Sequence, residues 1–355
     1  MKILHLVNEF DNVGNGIVNV CCDLSCEQAK LGHEVLVLSK EGEFSNLIEL
    51  NGGNFRVLNQ ERNIFNILSM FKKMDNYLNK FNPDIINCHM MTGLILAKFF
   101  QKKYNYKIVS TVHNVYQKSS FLMKYSDALV CLSPAILDFF KNRGVPDRKL
   151  FVIENGVIGS PRRLSLDNIN PVTLEKPSIV SVGAVCFRKG TDILIKALKI
   201  LHNKNIKVHL YLIGNLDWPE LETEVHNLQL SEYVHFQGLD KQPQRYLLNA
   251  DVYVLASRRE TFPLSILEAK ECGLPIIAAE IDGCPDALDH GESGLLFKTE
   301  DEHDLADKIS QMLSDKDLNT FMRNKSINSS SKFTVTNMAE NYLKLYAKLI
   351  RVTKE

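Results

Sequence analysis

The chain has 355 residues, enough for two domains of about 150 residues each, and its 42 Lys and Arg are balanced by 42 Asp and Glu. Apolar residues make up 45% and charged residues 24%, which excludes disordered and low-complexity classes, and the missing basic surplus removes the simplest case for nucleic-acid binding. The balance hides a division: residues 1–165 carry 20 basic against 15 acidic side chains, and residues 166–355 carry 22 against 27.

Short β-branched runs alternate with longer helical periodicity. Ile3–Val7 reads as a buried strand, Gly16–Leu31 as a helix and Val35–Leu38 as a second strand. Further strands are predicted at Phe55–Leu58, Asp84–Cys88, Lys107–Val112, Ala128–Leu132 and Leu150–Ile153, mostly with helical patterns between them. A polar, proline-bearing stretch from Gly159 to Pro177 breaks the rhythm, and residues 166–177 read as a linker. Alternation restarts at Ile179–Val182 and continues through Val208–Ile213, Tyr233–Phe236, Val252–Leu255, Pro275–Ala278 and Gly294–Phe297. Helices are expected over Glu302–Leu313 and Val335–Arg351, with the Ser- and Asn-rich Ser326–Ser331 as a loop before the last one. The reading is α/β: two Rossmann-like, doubly wound parallel-sheet domains, 1–165 and 178–332, whose strand ends face a central cleft. Residues 333–355 are expected to form a helix that packs back towards the N-terminal domain.

Cysteines stand at positions 21, 22, 26, 88, 131, 186, 272 and 284 without zinc-ligand or redox spacing. Most lie in apolar runs, where a free thiol acts as a small hydrophobe, and they imply a reducing, cytoplasmic setting. No stretch is long and apolar enough to cross a membrane, and the opening strand is too short for a signal segment. Arg62–Phe81 (with Ile64, Phe65, Ile67, Leu68, Phe71, Lys72 and Lys73) and Lys98–Tyr104 are both apolar and basic, and Phe121–Tyr125 continues the theme. Helices packed on a sheet with lysine-rich outer faces are the plainer reading; peripheral contact with an anionic membrane at its inner face is the other.

Three segments carry candidate chemistry. After the first strand, Gly14-Asn15-Gly16 at a helix mouth lets backbone approach a phosphate, or forms an ordinary glycine turn. Gly183, at a strand end, is followed by Arg188-Lys189-Gly190, two cations that suit a diphosphate or make a solvated pair before a helix. In Arg258-Arg259-Glu260-Thr261-Phe262-Pro263-Leu264, Pro263 suits a first helical turn, with Glu260 on the preceding loop and Glu268 within the helix. Two such carboxylates can accept hydrogen bonds from vicinal hydroxyls of a ribose or a hexose.

The two glutamates with seven residues between them, followed by Gly273-Leu274-Pro275, resemble the signature of the retaining glycosyltransferase family 4 (glycosyl transferases group 1), of GT-B fold. Gly32-His33, Thr111-Val112-His113, Asn155-Gly156-Val157, Gly283 and Gly291–Phe297 agree in order and spacing, so the resemblance covers nearly the whole chain. It implies that Arg188 and Lys189 neutralise a donor diphosphate while the Gly14, Asn15 and Gly16 backbone caps it. It implies further that Glu268 holds the ribose and that Glu260 contacts the donor sugar beside Thr261, Phe262, Pro263 and Leu264. His113 would sit next to the transferred sugar, with Glu260, Arg188 and Lys189 as the other catalytic groups. The chain departs from the family at Asn114 and Ile158, where aspartate is common, and these changes bear on acceptor contacts; His89 and Asn114 are the acceptor-side candidates. No Asp-any-Asp motif that would place a divalent ion is found, and no metal or other cofactor is expected.

The expected activity is retaining transfer of a hexose from a UDP- or GDP-sugar to a saccharide or lipid-linked saccharide, in the building of capsule, O-antigen or lipopolysaccharide. A non-catalytic sugar-nucleotide-binding or scaffold protein on the same fold is the rival from another class, and a GT-B epimerase or phosphorylase the nearer one.

Overall fold

The computed structural model describes residues 1–61 and 64–351. Two compact units divide the chain: Met1–Arg162 with Phe333–Glu355, and Arg163–Lys332.

The first unit is built on seven parallel strands: β1 (Lys2–Leu6), β2 (Glu34–Ser39), β3 (Asn54–Val57), β4 (Ile85–Cys88), β5 (Lys107–Val112), β6 (Ala128–Cys131) and β7 (Leu150–Val152). Their order is β3-β2-β1-β4-β5-β6-β7. Leu4, Leu6, Ile86, Cys88, Ile108 and Val112 meet Met74, Leu78, Phe100 and Phe140 of the covering helices in one core. Strands buried on both faces read as continuous apolar runs, which is why these segments stand out in the sequence.

The helix Val335–Arg351 belongs to this unit and packs against the helix Gly16–Lys30. The returning chain is fixed by backbone hydrogen bonds from Val157 N to Phe333 O and from Val335 N to Ile158 O, both 2.9 Å. Gly156 is required there, since a Cβ would lie 2.2 Å from Thr334 O. Tyr342 and Tyr346 are fully buried, and they satisfy polar groups on the sheet. Asn87 Nδ2 donates to Tyr346 OH (2.9 Å), Thr111 Oγ1 donates to Asn87 Oδ1 (3.0 Å), and Thr111 Oγ1 lies 3.1 Å from Tyr342 OH.

The second unit has six parallel strands: β8 (Ser178–Val182), β9 (His209–Ile213), β10 (Val234–Gly238), β11 (Val252–Leu255), β12 (Ile276–Ala279) and β13 (Leu295–Phe297). They are ordered β10-β9-β8-β11-β12-β13. In each sheet the strand order reverses direction once, between β1 and β4 and between β8 and β11. Loops diverge at such a point, and the crevice outside the carboxyl ends of those strands is where open α/β sheets bind ligands.

Two expectations are corrected. Residues 166–177 are not a free linker but lie on the second unit: Ile169 and Leu174 are buried, Val172 N donates to Arg245 O, and Asn249 Nδ2 donates to Val172 O. Ser326–Ser331 is not a loop, because the helix Lys316–Ser330 runs through most of it. Ser329 and Ser330 turn their hydroxyls back on the carbonyls of Ser326 and Ile327, so these polar side chains are accommodated without breaking the helix.

Tyr346→Phe, which strands the Asn87 amide, should cost about 1–3 kcal/mol, and Tyr346→Ala about 3–5 kcal/mol. Urea melts that follow the first unit check both values.

Candidate functional site

In the second unit the chain leaves β8 at Gly183 and turns through Phe187–Lys189 into the helix Thr191–Asn203. Gly190 starts that helix with φ of 65°, and a Cβ there would lie 1.8 Å from Ala256 O, so only glycine lets this loop sit against the end of β11. Arg258 locks the same junction. Its guanidinium pairs with both oxygens of Asp192 (2.8 Å each) and donates to Phe187 O (2.6 Å), while its backbone N–H donates to Arg188 O (2.9 Å).

These contacts bring Arg188, Lys189 and Glu260 together. Glu260 is only 8% exposed, and its Oε1 takes Arg188 Nη1 at 3.3 Å, the Lys189 ammonium, and Ser257 Oγ at 3.2 Å. Its backbone is also held: Glu260 N donates to Asp282 Oδ2 (3.0 Å), and Gly283 N donates to Glu260 O (3.1 Å). Burial alone would push the Glu260 carboxyl up, but the Lys189 and Arg188 charges and the hydrogen bonds from Lys189 and Ser257 hold it below the usual range. It is an ionised acceptor beside two cations.

Thr261, Phe262 and Pro263 are buried, and Pro263 precedes the helix Leu264–Glu271, whose first turn opens at Leu264. Glu268 lies on this helix and is buried. Both Glu268 and Glu260 border the buried Tyr253 phenol of β11: burial first, then the charge of Glu268 and of Glu260, pushes that hydroxyl up. The helix is pinned from behind by Lys270, which is 0% exposed and bonds Asp289 Oδ2 (3.1 Å) and Ser293 Oγ (2.8 Å). Burial would raise Asp289, but Lys332, Ser293 and Lys270 bring it down to about 2.

In the first unit Gly14, Asn15 and Gly16 lie where the chain enters the helix Gly16–Lys30. Asn15 caps it, its Oδ1 accepting from Ile17 N (3.0 Å) while its Nδ2 donates to Glu9 (2.8 Å). His113 follows β5 directly and stays partly accessible, and Asn114 accepts from Tyr116 N (3.3 Å) in a local turn. His89, expected as a ligand contact, is instead 2% exposed and lies between two other rings, with His89 Nδ1 2.9 Å from His113 Nε2 and His89 Nε2 3.1 Å from His5 Nδ1. Burial lowers all three: His5 to about 4, His113 to about 3, and His89 well below its ordinary value with help from the neighbouring rings.

Sequence reasoning missed His5, Asp192, Ser257 and Asp282. His5 reads as a strand residue, Ser257 stands three residues before Glu260 with nothing local to mark their bond, and Asp192 and Asp282 become partners only through contacts distant in sequence; Arg258 carried a signal in its motif but not its locking role. Among the described residues, two groups have ligand atoms close enough for a metal, His5 with Cys21 and His89, and Glu175 with His209 and His235. The facing nitrogens of His5 and His89 are engaged with each other. The chain's one Asp-any-Asp triplet, Asp315-Lys316-Asp317, is a helix start, with Asp315 Oδ1 accepting from Leu318 N (2.9 Å).

Residues 14–158 match the family described as Glycosyltransferase Family 4, and residues 164–329 match Glycosyl transferases group 1. Among similar proteins, the N,N'-diacetylbacillosaminyl-diphospho-undecaprenol alpha-1,3-N-acetylgalactosaminyltransferase of Campylobacter jejuni is 25% identical, over 90% of this chain and 92% of its own length. Among solved structures, Anabaena HepE in complex with UDP and glucose superposes with a TM-score of 0.81 at 19% identity, covering 98% of this chain and 99% of HepE. Sucrose-phosphate synthase from Thermosynechococcus elongatus gives 0.83 at 19% identity, covering 99% of each chain. The architecture is GT-B.

The three lowered histidines set a pH dependence. Between their folded values and the ordinary value near 6.5 the unfolded chain binds protons that the native rings refuse, so stability rises with pH and is lost as pH falls below about 6.5. Each ring contributes about 1.4 kcal/mol per pH unit inside that window. Urea melts of the first unit at pH 7, 6 and 5 should show this decline, with a shallower slope in His5→Leu.

Proposed function

The chain belongs to the family 4 glycosyltransferases, and on that premise we propose that it moves a hexose from a nucleotide diphosphate sugar to a saccharide or lipid-linked saccharide, with retention and without a metal. The observation that carries this reading is the ionised, buried Glu260 held against Lys189 and Arg188 at the carboxyl ends of β8 and β11. As the sugar–phosphate bond breaks, negative charge grows on the leaving diphosphate, and stabilising that charge is the largest available contribution. Arg188 offers a planar fork and Lys189 a compact charge, and the N–H groups opening the helix at Leu264 add to them. Glu260 accepts from hydroxyls of the donor sugar, Glu268 accepts from the ribose, and His113 stands beside the transferred sugar. In this reading the acceptor hydroxyl attacks from the leaving-group face, and a donor phosphate oxygen takes its proton.

The relatives support the substrate class. HepE was crystallised with UDP and glucose, and the name of the Campylobacter jejuni enzyme specifies a diphospho-undecaprenol-linked sugar. Assembly of a surface polysaccharide on a lipid carrier is the setting this favours. No helix among the described residues is long and apolar enough to cross a membrane. The helices Ile64–Phe81 and Met91–Tyr104 instead expose Leu68 (79%) and Phe99 (67%) together with Lys72, Lys73, Lys98 and Lys102. Arg62 and the side chains of Ile64 and Phe65 lie outside the described residues. That mixture of apolar and basic groups suits peripheral contact with an anionic bilayer.

A thermal-shift screen over UDP-, GDP- and ADP-sugars should pick out one donor, since a ligand at a hundred times its Kd stabilises the native state by about 2.7 kcal/mol. With that donor, Lys189→Ala and Glu268→Ala should each lower turnover at least about tenfold, or roughly 1.4 kcal/mol. Full activity in folded Lys189→Ala would remove that residue from the mechanism. Separately, the protein should co-sediment with phosphatidylglycerol vesicles at low salt and detach as salt rises; no sedimentation at low salt would rule out direct membrane contact.

A further inference from the structure

Three imidazoles of the first unit step across three neighbouring strands. His5 lies within β1, His89 directly follows β4 and His113 directly follows β5, and these strands are adjacent in the order β1-β4-β5. The rings stack in sequence, His5 on His89 with centroids 5.4 Å apart and His89 on His113 at 5.2 Å. Each neighbouring pair also shares one short nitrogen–nitrogen contact, 3.1 Å for His5 Nδ1 with His89 Nε2 and 2.9 Å for His89 Nδ1 with His113 Nε2. At the far end, His5 Nε2 lies 2.8 Å from Gln28 Oε1 on the helix Gly16–Lys30, and Gln28 is fully buried.

A neutral imidazole has one N–H and one lone pair, so each ring in such a chain dictates the next. The Gln28 oxygen can only accept, which puts the His5 proton on Nε2 and leaves its Nδ1 as an acceptor. His89 must then donate from Nε2 and accept at Nδ1, and His113 in turn must donate from Nε2. We propose that His89, His5 and Gln28 are positioning residues that fix His113 as its Nε2–H tautomer, so that His113 Nδ1 accepts a hydrogen bond from a substrate hydroxyl. The hydroxyl half rests on the glycosyltransferase reading above; the tautomer half does not. Burial keeps the three rings neutral, as the lowered values of His5, His89 and His113 require. His89 thereby gains a role without touching substrate: it carries the preference set by Gln28 to a ring at the carboxyl end of the sheet.

Two-bond proton–nitrogen spectra of protein carrying ¹⁵N-histidine, recorded at pH 7, read the tautomer directly and need no substrate. The expected wild-type result is the Nε2–H form at His5, His89 and His113. In Gln28→Leu the first ring loses its acceptor, and His113, which Gln28 does not contact in the chain, should become a tautomer mixture. Transfer should then fall at least fivefold while the nucleoside diphosphate still shifts the melting temperature as in wild type. Gln28→Glu keeps the oxygen and should restore the Nε2–H form. An Nδ1–H His113 in the wild type, or a His113 spectrum unchanged in folded Gln28→Leu, overturns the proposal. Should Gln28→Leu fail to fold, His5→Phe breaks the same chain one ring later and is read in the same way. If His113 is Nε2–H but no nucleotide sugar supports transfer, the tautomer assignment stands and the functional reading falls.

Discussion

A parallel sheet covered by helices on both faces has no wet side. Strands β4, β6, β11 and β12 are buried along their whole length, so a charged side chain placed on them would lose its water and find no counter-charge. Ionic side chains are therefore kept off these strands, and the candidate site residues cluster after β8 and β11 and after β4 and β5. Some polar groups nonetheless enter the sheet interior, and several of them are paired there. His5, Asn87 and Thr111 do enter it, and they reach one another's neighbours through Gln28, Tyr342 and Tyr346.

The second unit solves the same constraint with charge. The buried carboxylate of Glu260 is tolerable because Lys189 and Arg188 stand against it, and Arg258 is tolerable because Asp192 meets it with both oxygens. The two pairs share a junction, since Arg258 also holds the carbonyls of Phe187 and Arg188. The loop that presents Arg188 and Lys189 is thus positioned by a separate ion pair. Truncating one member of such a pair leaves the other charge buried and unmatched, so the array is coupled and substitutions in it should not add.

Much of this was legible in the residues. The central strands are announced by apolar runs because double burial forces them to be apolar, edge strands such as β3, which exposes most of its length, are still marked by their place in the alternation, and boundaries among the described residues shift by a residue or two at most. Glu260, Glu268, Arg188 and Lys189 stand in segments whose glycine and proline punctuation marks strand ends and a helix start. What could not be read was long-range pairing. Ser326–Ser331 looks like a loop because its hydroxyls, in sequence, have no visible partner, whereas those of Ser329, Ser330 and Ser331 bond carbonyls three residues back. His89 looks like a ligand contact because it ends a strand, and only the proximity of His5 and His113 shows it enclosed. Asp192 and Asp282 give no local sign of their partners, which lie 66 and 22 residues away.

The interruption of the first unit by the second has a consequence for how the chain is made. During synthesis the seven strands of the first unit leave the ribosome early, yet Asn87 and Thr111 lack their tyrosine hydroxyls until residues 342 and 346 follow. The second unit, Arg163–Lys332, contains all its own strands and is released whole before then. The order of completion is therefore the reverse of the order of translation for most of the chain: the inserted unit can finish while its host waits, half-covered, for the final helix. Such a nascent host, with apolar sheet surface exposed, is a natural client for chaperones.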